Sequence, residues 1–113
     1  MADTGSAQPL SARILQDAAS TFGLLAATVR LHILWLLAGG DHDVSTLAAA
    51  TDQSVATVSH HLSKLKLAGL VDVRRQGKRR VYVAADEQVI EVVRLAIEGR
   101  LDETQRRRHA GHA

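Results

Sequence analysis

The segment from Thr51 to Ala84 constrains the fold of this chain more than any other. A short polar turn, Thr51-Asp52-Gln53-Ser54, leads into a helix-periodic stretch, Val55 to Ala68, and then into two alternating stretches, Leu70 to Ala84, folded about Gln76-Gly77-Lys78. Residues three and four apart share a face of a helix, whereas residues two apart share a face of a strand. By that rule Val55, Val58, Leu62 and Leu65 form one apolar stripe, and Gln53, Ala56, Thr57, His60, Ser63 and Lys64 fall opposite it. An exposed helix usually carries long Glu and Lys pairs. These residues are instead small or hydrogen-bonding, a face suited to base edges and phosphates. Ser54 is placed to cap the first turn, and Gly69, directly after Ala68, supplies a left-handed stop, so the helix is bounded at both ends.

Upstream, Val44 to Ala50 is a second short apolar-periodic segment, separated from the first by only a few residues around Thr51-Asp52. Two helices joined so tightly read as a helix-turn-helix. Downstream, Val71 and Val73 alternate with Asp72 and Arg74, and Val81 and Val83 with Arg80 and Tyr82, the period of half-buried strands. Arg74, Arg75, Lys78, Arg79 and Arg80 surround a tip too small to bury them, and phosphates are the fitting counter-charge. Each half also has a plainer reading: the helix as core plus solvated face, the charged tip as a device that keeps an edge hairpin soluble. Their adjacency and order favour a reader of duplex DNA.

Taken as a set, Thr28-Val29-Arg30-Leu31-His32-Ile33-Leu34, Val44-Ser45-Thr46-Leu47-Ala48, Val58-Ser59-His60-His61-Leu62-Ser63-Lys64-Leu65, Gly69-Leu70-Val71 and Arg75-Gln76-Gly77-Lys78-Arg79 resemble the ArsR/SmtB family of winged-helix regulators, over residues 12 to 103. The resemblance implies a mainly α fold with a small β-hairpin: a dimeric winged helix-turn-helix of three helices, a recognition helix, a two-stranded wing and a final helix. It further implies a sequence-specific transcriptional regulator, a repressor, that binds an inverted-repeat operator in double-stranded DNA and in many members releases it when a metal or another effector binds. On that footing the Val55 to Ala68 helix enters the major groove. Gln53, Ser54, Thr57, His60 and Ser63 then reach bases or nearby phosphates, Lys64 and Lys66 anchor backbone, and Arg74, Arg75, Lys78, Arg79 and Arg80 grip phosphate or minor groove.

Length and composition agree. A chain of 113 residues makes one domain with a modest core that a partner subunit would supplement. Its expected division is a flexible arm at residues 1–10, the DNA-binding and dimerisation domain at 11–105, and an Arg/His-rich tail at 106–113. Phe22, Trp35 and Tyr82 are the only aromatics among Phe, Trp and Tyr, too few to stack unpaired bases. Residues 1–63 carry two basic and five acidic side chains, residues 64–113 twelve and seven, so positive potential is concentrated from the end of the recognition helix onward. The absence of cysteine excludes disulfides, zinc ribbons and thiol switches. The longest apolar run, Ile33 to Ala38, is too short for a bilayer and the N-terminus lacks a signal pattern, so a cytoplasmic location without membrane contact is expected.

Ser11 to Ala26 sets Ile14, Leu15, Ala18, Phe22 and Leu25 at helical spacing. Thr28 is placed to cap a second helix through Leu37 that Gly39-Gly40 ends, and Asp86 to about Arg106 forms the last helix, with Val89, Val92, Val93, Ala96, Ile97 and Leu101 along one side. That helix needs a cover, and the first offers a matching apolar stripe; in the resembled family these two helices build the dimer interface. Trp35 reads as packing, with ligand contact as the alternative.

Metal-responsive members of the family place an Asp-x-His pair at the start of the last helix of one subunit and a His-x-x-Glu or His-x-x-His pair on the other. The matching positions here are Asp86, Gln88, Gly99 and Asp102, so both imidazoles are missing, whereas nickel, cobalt and zinc favour nitrogen or thiolate ligands. His109 and His112, with Asp102 or with Asp86 across the dimer, offer a replacement nitrogen/oxygen site for nickel, or for cobalt or zinc; the alternative is a C-terminal end that touches nothing. His42 reads as solvated loop and His32 as structural. His60 and His61 point about 100° apart and make poor partners for one ion. Ser59 beside His60 on a helix does not orient a nucleophile against a base, and no phosphate loop occurs, so an enzyme is not expected. Two alternatives remain: a metal-independent regulator or activator on the same fold, its response supplied by a second regulatory protein, and a histidine-bearing metal-binding protein.

Overall fold

A computed structural model describes residues 9–111. The chain order is α1 (Ala12–Leu25), α2 (Thr28–Ala38), α3 (Val44–Thr51), α4 (Val55–Leu67), β1 (Val71–Gln76), β2 (Arg79–Ala84) and α5 (Glu87–Gly111). The core forms where the apolar stripe of α4, Val58, Leu62 and Leu65, meets Ile33, Leu34 and Leu37 of α2 and Leu47 of α3, all buried. Truncating one of these leucines to alanine removes about 2–5 kcal/mol, transfer and cavity together. Val55, expected in the same stripe, is exposed because it sits in the first turn of α4, beyond the part that the other helices cover.

The reversal between α3 and α4 uses three residues. Asp52 adopts the left-handed conformation, φ 55°, which a short polar side chain tolerates, and its N–H reaches the carbonyls of Ala48 and Ala49. Buried Thr51 turns its hydroxyl back to the Leu47 carbonyl at 2.8 Å. Ser54 then caps α4, its hydroxyl accepting from the Thr57 N–H at 3.0 Å. At the far end Gly69, φ 80°, donates to Lys66 O and Leu70 to Leu65 O, which satisfies the last carbonyls in a Schellman turn and buries Leu70 against the core.

Thr28 does not cap α2. It is the first helical residue, Ala27 holds the cap position without a side-chain bond, and the 91° corner between α1 and α2 is closed instead by Arg30, whose Nε–H donates to the Leu24 carbonyl at 2.9 Å. The hairpin pairs from Val71 with Ala84 to Gln76 with Arg79, so the turn is the two residues Gly77-Lys78, with Gly77 at φ 62° in the place that a type II′ turn gives to glycine. His42, expected as solvated loop, exchanges both backbone bonds with Tyr82, at 3.2 and 2.8 Å, and adds a short third edge to the wing.

Asp86 caps α5, with Oδ1 accepting from the Val89 N–H at 3.0 Å. Val89, Ile90 and Val93 are buried, and α5 packs mainly on α2, while α1 faces its first turns across a cleft lined by Phe22, Leu25, Val89 and Val92. The apolar side chains Ile14, Leu15 and Phe22 of α1, and Val92, Leu95 and Leu101 of α5, stay exposed. The helix also runs through residues 106–111, past the start of the tail at 106. Glu103 steadies it there by accepting from Arg107 at 2.8 Å, an i,i+4 pair.

Candidate nucleic-acid interface

The outer face of α4 and the hairpin that follows it in the chain both carry exposed polar and basic side chains, and hydrogen bonds within the chain decide which of them remain available. Gln53, His60, Lys64 and Lys66 are exposed. Ser54 is engaged twice, accepting from Thr57 N and donating to Thr57 Oγ1 at 2.9 Å. Thr57 is half-buried. Ser63 donates back to the Ser59 carbonyl at 3.0 Å, and its oxygen still has acceptor capacity.

His61 differs from its neighbour. It is half-buried, with Nδ1 3.3 Å from Arg30 Nη1. Burial first, and then the Arg30 charge, push its pKa below the ordinary 6.5, so the neutral ring accepts from Arg30 and ties α4 to the corner between α1 and α2. Periodicity alone gave no sign of this role. Trp35 packs on the core and also lines a cleft of ≈ 360 Å³ with His42, Arg94 and Glu98. Arg94 crosses from α5 to donate to the Ala38 carbonyl at 2.7 Å, and His32, expected as structural, is exposed.

On the wing Arg74, Arg75, Lys78 and Arg80 are exposed, with no carboxylate in salt-bridge range among the described residues. Arg79 is different: Nη2 meets Asp43 Oδ2 at 2.6 Å. Asp43 is also the cap of α3, Oδ1 accepting from the Thr46 N–H at 2.8 Å. The Thr46 bonds foremost, and the Arg79 guanidinium after them, hold its carboxyl down at about 2. A capping Asp before a short helix is a readable signal, but a partner 36 residues further on is not.

Of the four expected metal ligands, the three among the described residues, Asp86, Asp102 and His109, do not converge within one chain. Asp86 is committed to capping, and sixteen residues of α5 carry Asp102 about 24 Å beyond it at 1.5 Å per residue. Asp102 and His109 stand on one face but two turns apart, about 10 Å, whereas two donors on one ion at about 2 Å each lie within about 4 Å of one another. His112 lies outside the described residues. Among the described residues no three His, Asp or Glu side chains gather at a site that could hold a metal ion.

A sequence model of the bacterial regulatory protein arsR family matches residues 28–73, from the start of α2 to β1. The HTH-type transcriptional regulator Rv0324 of Mycobacterium tuberculosis is 40% identical over 84 residues, 74% of this chain, and the match spans 37% of that protein's length. A cadmium resistance transcriptional regulatory protein CadC homolog of Staphylococcus aureus is 36% identical over 81 residues, 71% of this chain and 67% of the other. The solution structure of the homodimeric winged helix-turn-helix DNA-binding domain Mb0332 of Mycobacterium bovis superimposes with a TM-score of 0.68 at 34% identity, covering 100% of this chain and 94% of that one.

Proposed function

The chain belongs to the ArsR family of bacterial transcriptional regulators, and from that premise we propose that it works as a homodimer that reads an inverted repeat in double-stranded DNA and represses transcription there. The observation that carries the reading is an α3–turn–α4 unit whose outer face is polar and uncovered, followed directly by a hairpin whose exposed Arg74, Arg75, Lys78 and Arg80 meet no carboxylate among the described residues. Helix α4 lies in the major groove. Gln53, Thr57 and His60 approach base edges, Ser54 and Ser63 offer their remaining oxygen lone pairs, and Lys64 and Lys66 meet phosphates, as do Arg74, Arg75, Lys78 and Arg80 on the wing. Two copies related by a twofold axis require half-sites about one helical turn apart. The uncovered apolar faces of α1 and α5 support that pairing.

A duplex selected by the protein from a random-sequence pool, titrated across a salt series, tests the reading. Six phosphate-facing cations per chain, twelve per dimer, predict a slope of log affinity against log salt of roughly −11. A protein that holds selected and scrambled duplexes equally well overturns it.

The same fold could take a metal response. Of the residues able to supply one, Asp102 and His109 stand too far apart to chelate in cis, so a nickel, cobalt or zinc site built on Asp86, Asp102, His109 and His112 is one shared between chains. Repeating the titration with nickel, on the full chain and after deletion of residues 104–113, separates the two cases. A change in operator affinity confined to the full chain supports a shared site, and no change in either leaves a metal-independent regulator.

A further inference from the structure

The wing does not hang free of the helix-turn-helix unit. Asp43 uses one carboxylate oxygen on each: Oδ1 closes the first turn of α3 through Thr46 N–H at 2.8 Å, and Oδ2 accepts from Arg79 Nη2 at 2.6 Å. One residue earlier, His42 holds Tyr82 through two backbone bonds. Strand β2 is therefore fixed at two points three residues apart, about 10 Å at the usual rise of a strand. The backbone bridge holds its middle, and the ion pair holds its first residue, next to the tip. Helix α3 in turn packs on α4. An isolated two-stranded hairpin twists easily and is marginal on its own, so these two ties relate the wing tip to the recognition helix.

We propose that Asp43 is a specificity-determining positioning residue: through Arg79 it sets the angle at which the wing meets the duplex while α4 reads the major groove, and Arg79 is the anchor of that wing rather than a phosphate ligand. The proposal rests on the DNA-reading function given above. The Arg79 side chain is 63% exposed and that of Asp43 25%, so the pair is a modest one by energy. Its effect is to hold the wing at the docking angle beforehand, so that less freedom is lost on binding.

A simple charge effect and a positioning effect have opposite signs here. Asp43→Asn removes a negative charge from a chain of net charge +2, which strengthens non-specific attraction to phosphates. Loss of wing angle weakens specific binding. Asparagine is itself a favoured cap, so α3 keeps its first turn.

The experiment uses the full chain as wild type, Asp43→Asn, Arg79→Gln and the double variant, each titrated at fixed salt and over a salt series. The probes are a duplex that the wild type selects from a random pool and a scrambled duplex of the same composition. Each single variant should bind the selected duplex more weakly by up to about fivefold, the upper end of what an exposed ion pair contributes, and the double variant no more weakly than either single. Asp43→Asn should bind the scrambled duplex as well as the wild type or better. Selected-duplex affinity in Asp43→Asn equal to or above wild type overturns the proposal, as does a salt slope lowered by about two in Arg79→Gln, the mark of one lost phosphate contact in each protomer. Should Asp43→Asn lose its helical signal in circular dichroism, Arg79→Gln, which leaves the α3 cap intact, decides the matter by the same two readouts. A wild type that selects no sequence removes the DNA reading and this proposal together, whereas a selecting wild type with an unaffected Asp43→Asn removes this proposal alone.

Discussion

His60 and His61 are the same group one position apart, and their surroundings give them different work. The ring of His60 is exposed to whatever α4 meets; that of His61 is half-buried against Arg30, its Nδ1 3.3 Å from Nη1. Burial, then the Arg30 charge, lower the folded pKa of His61 below its unfolded 6.5. Between those two values the unfolded chain binds the extra proton and the folded one does not, so stability rises with pH across that window. The contribution is complete above 6.5, falls as the pH drops below it, and levels off under the folded pKa. Urea unfolding of the wild type at pH steps from 7.5 to 5 should show this loss, and His61→Asn, whose Oδ1 takes the place of the ring Nδ1 that accepts from Arg30, should lack that part of it. Parallel profiles for the two proteins contradict the assignment. What periodicity reveals about α4 is its faces, and Ser54 and Gly69 were legible because a cap and a left-handed stop depend only on neighbours. The partners of His61 and Asp43 arrive from Arg30 and Arg79, at sequence distances over which a single chain carries no local signal.

Period and punctuation mark the helices and strands, and the element ends that fall elsewhere than expected have separate physical causes. The hairpin turn is tighter than the three-residue bend expected, because Gly77 takes a positive φ and lets Gln76 pair with Arg79. Helix α5 outlasts the expected stop because no Pro or Gly interrupts residues 100–110 and Glu103 pairs with Arg107. The α4 stop is the best defined. A Cβ at Gly69 would meet nothing within 4 Å, so Gly69→Ala carries only the strain of an L side chain at φ 80°. That strain is about 1 kcal/mol, which should lower the thermal midpoint by roughly 4 °C at fixed protein concentration. An unchanged midpoint would mean that Gly69 can leave the left-handed region without disturbing the Leu70 contact with the core.

At the scale of the molecule, a single chain leaves its first helix largely unburied. Of α1 only Leu25 is buried, while Ile14 is 56% and Phe22 59% exposed, and on α5 Leu95 is 64% exposed. The radius of gyration, 17.5 Å, exceeds the value of about 13 Å expected for a compact domain of this length. Sequence pattern identified the apolar stripes of α1 and α5 but not which of them the chain covers itself, since periodicity is blind to whether a stripe meets its own core or a second copy. Helix α5 does both kinds of work, turning Val89, Ile90 and Val93 inward and Val92 and Leu95 outward. If those outward residues meet a partner, a twofold axis counts every substitution twice. Burying a Phe side chain contributes about 1.5–3 kcal/mol, so Phe22→Glu should weaken dimerisation by more than a hundredfold, read by sedimentation at micromolar concentration. Because a monomer engages one half-site without the gain from linkage, operator affinity should fall by a further factor of the order of a hundred. Thermal unfolding at concentrations below the wild-type dimerisation range should differ little between the two proteins. A Phe22→Glu chain that sediments as the wild type does would place the dimer contact elsewhere and leave the exposed stripe of α1 without a role in pairing.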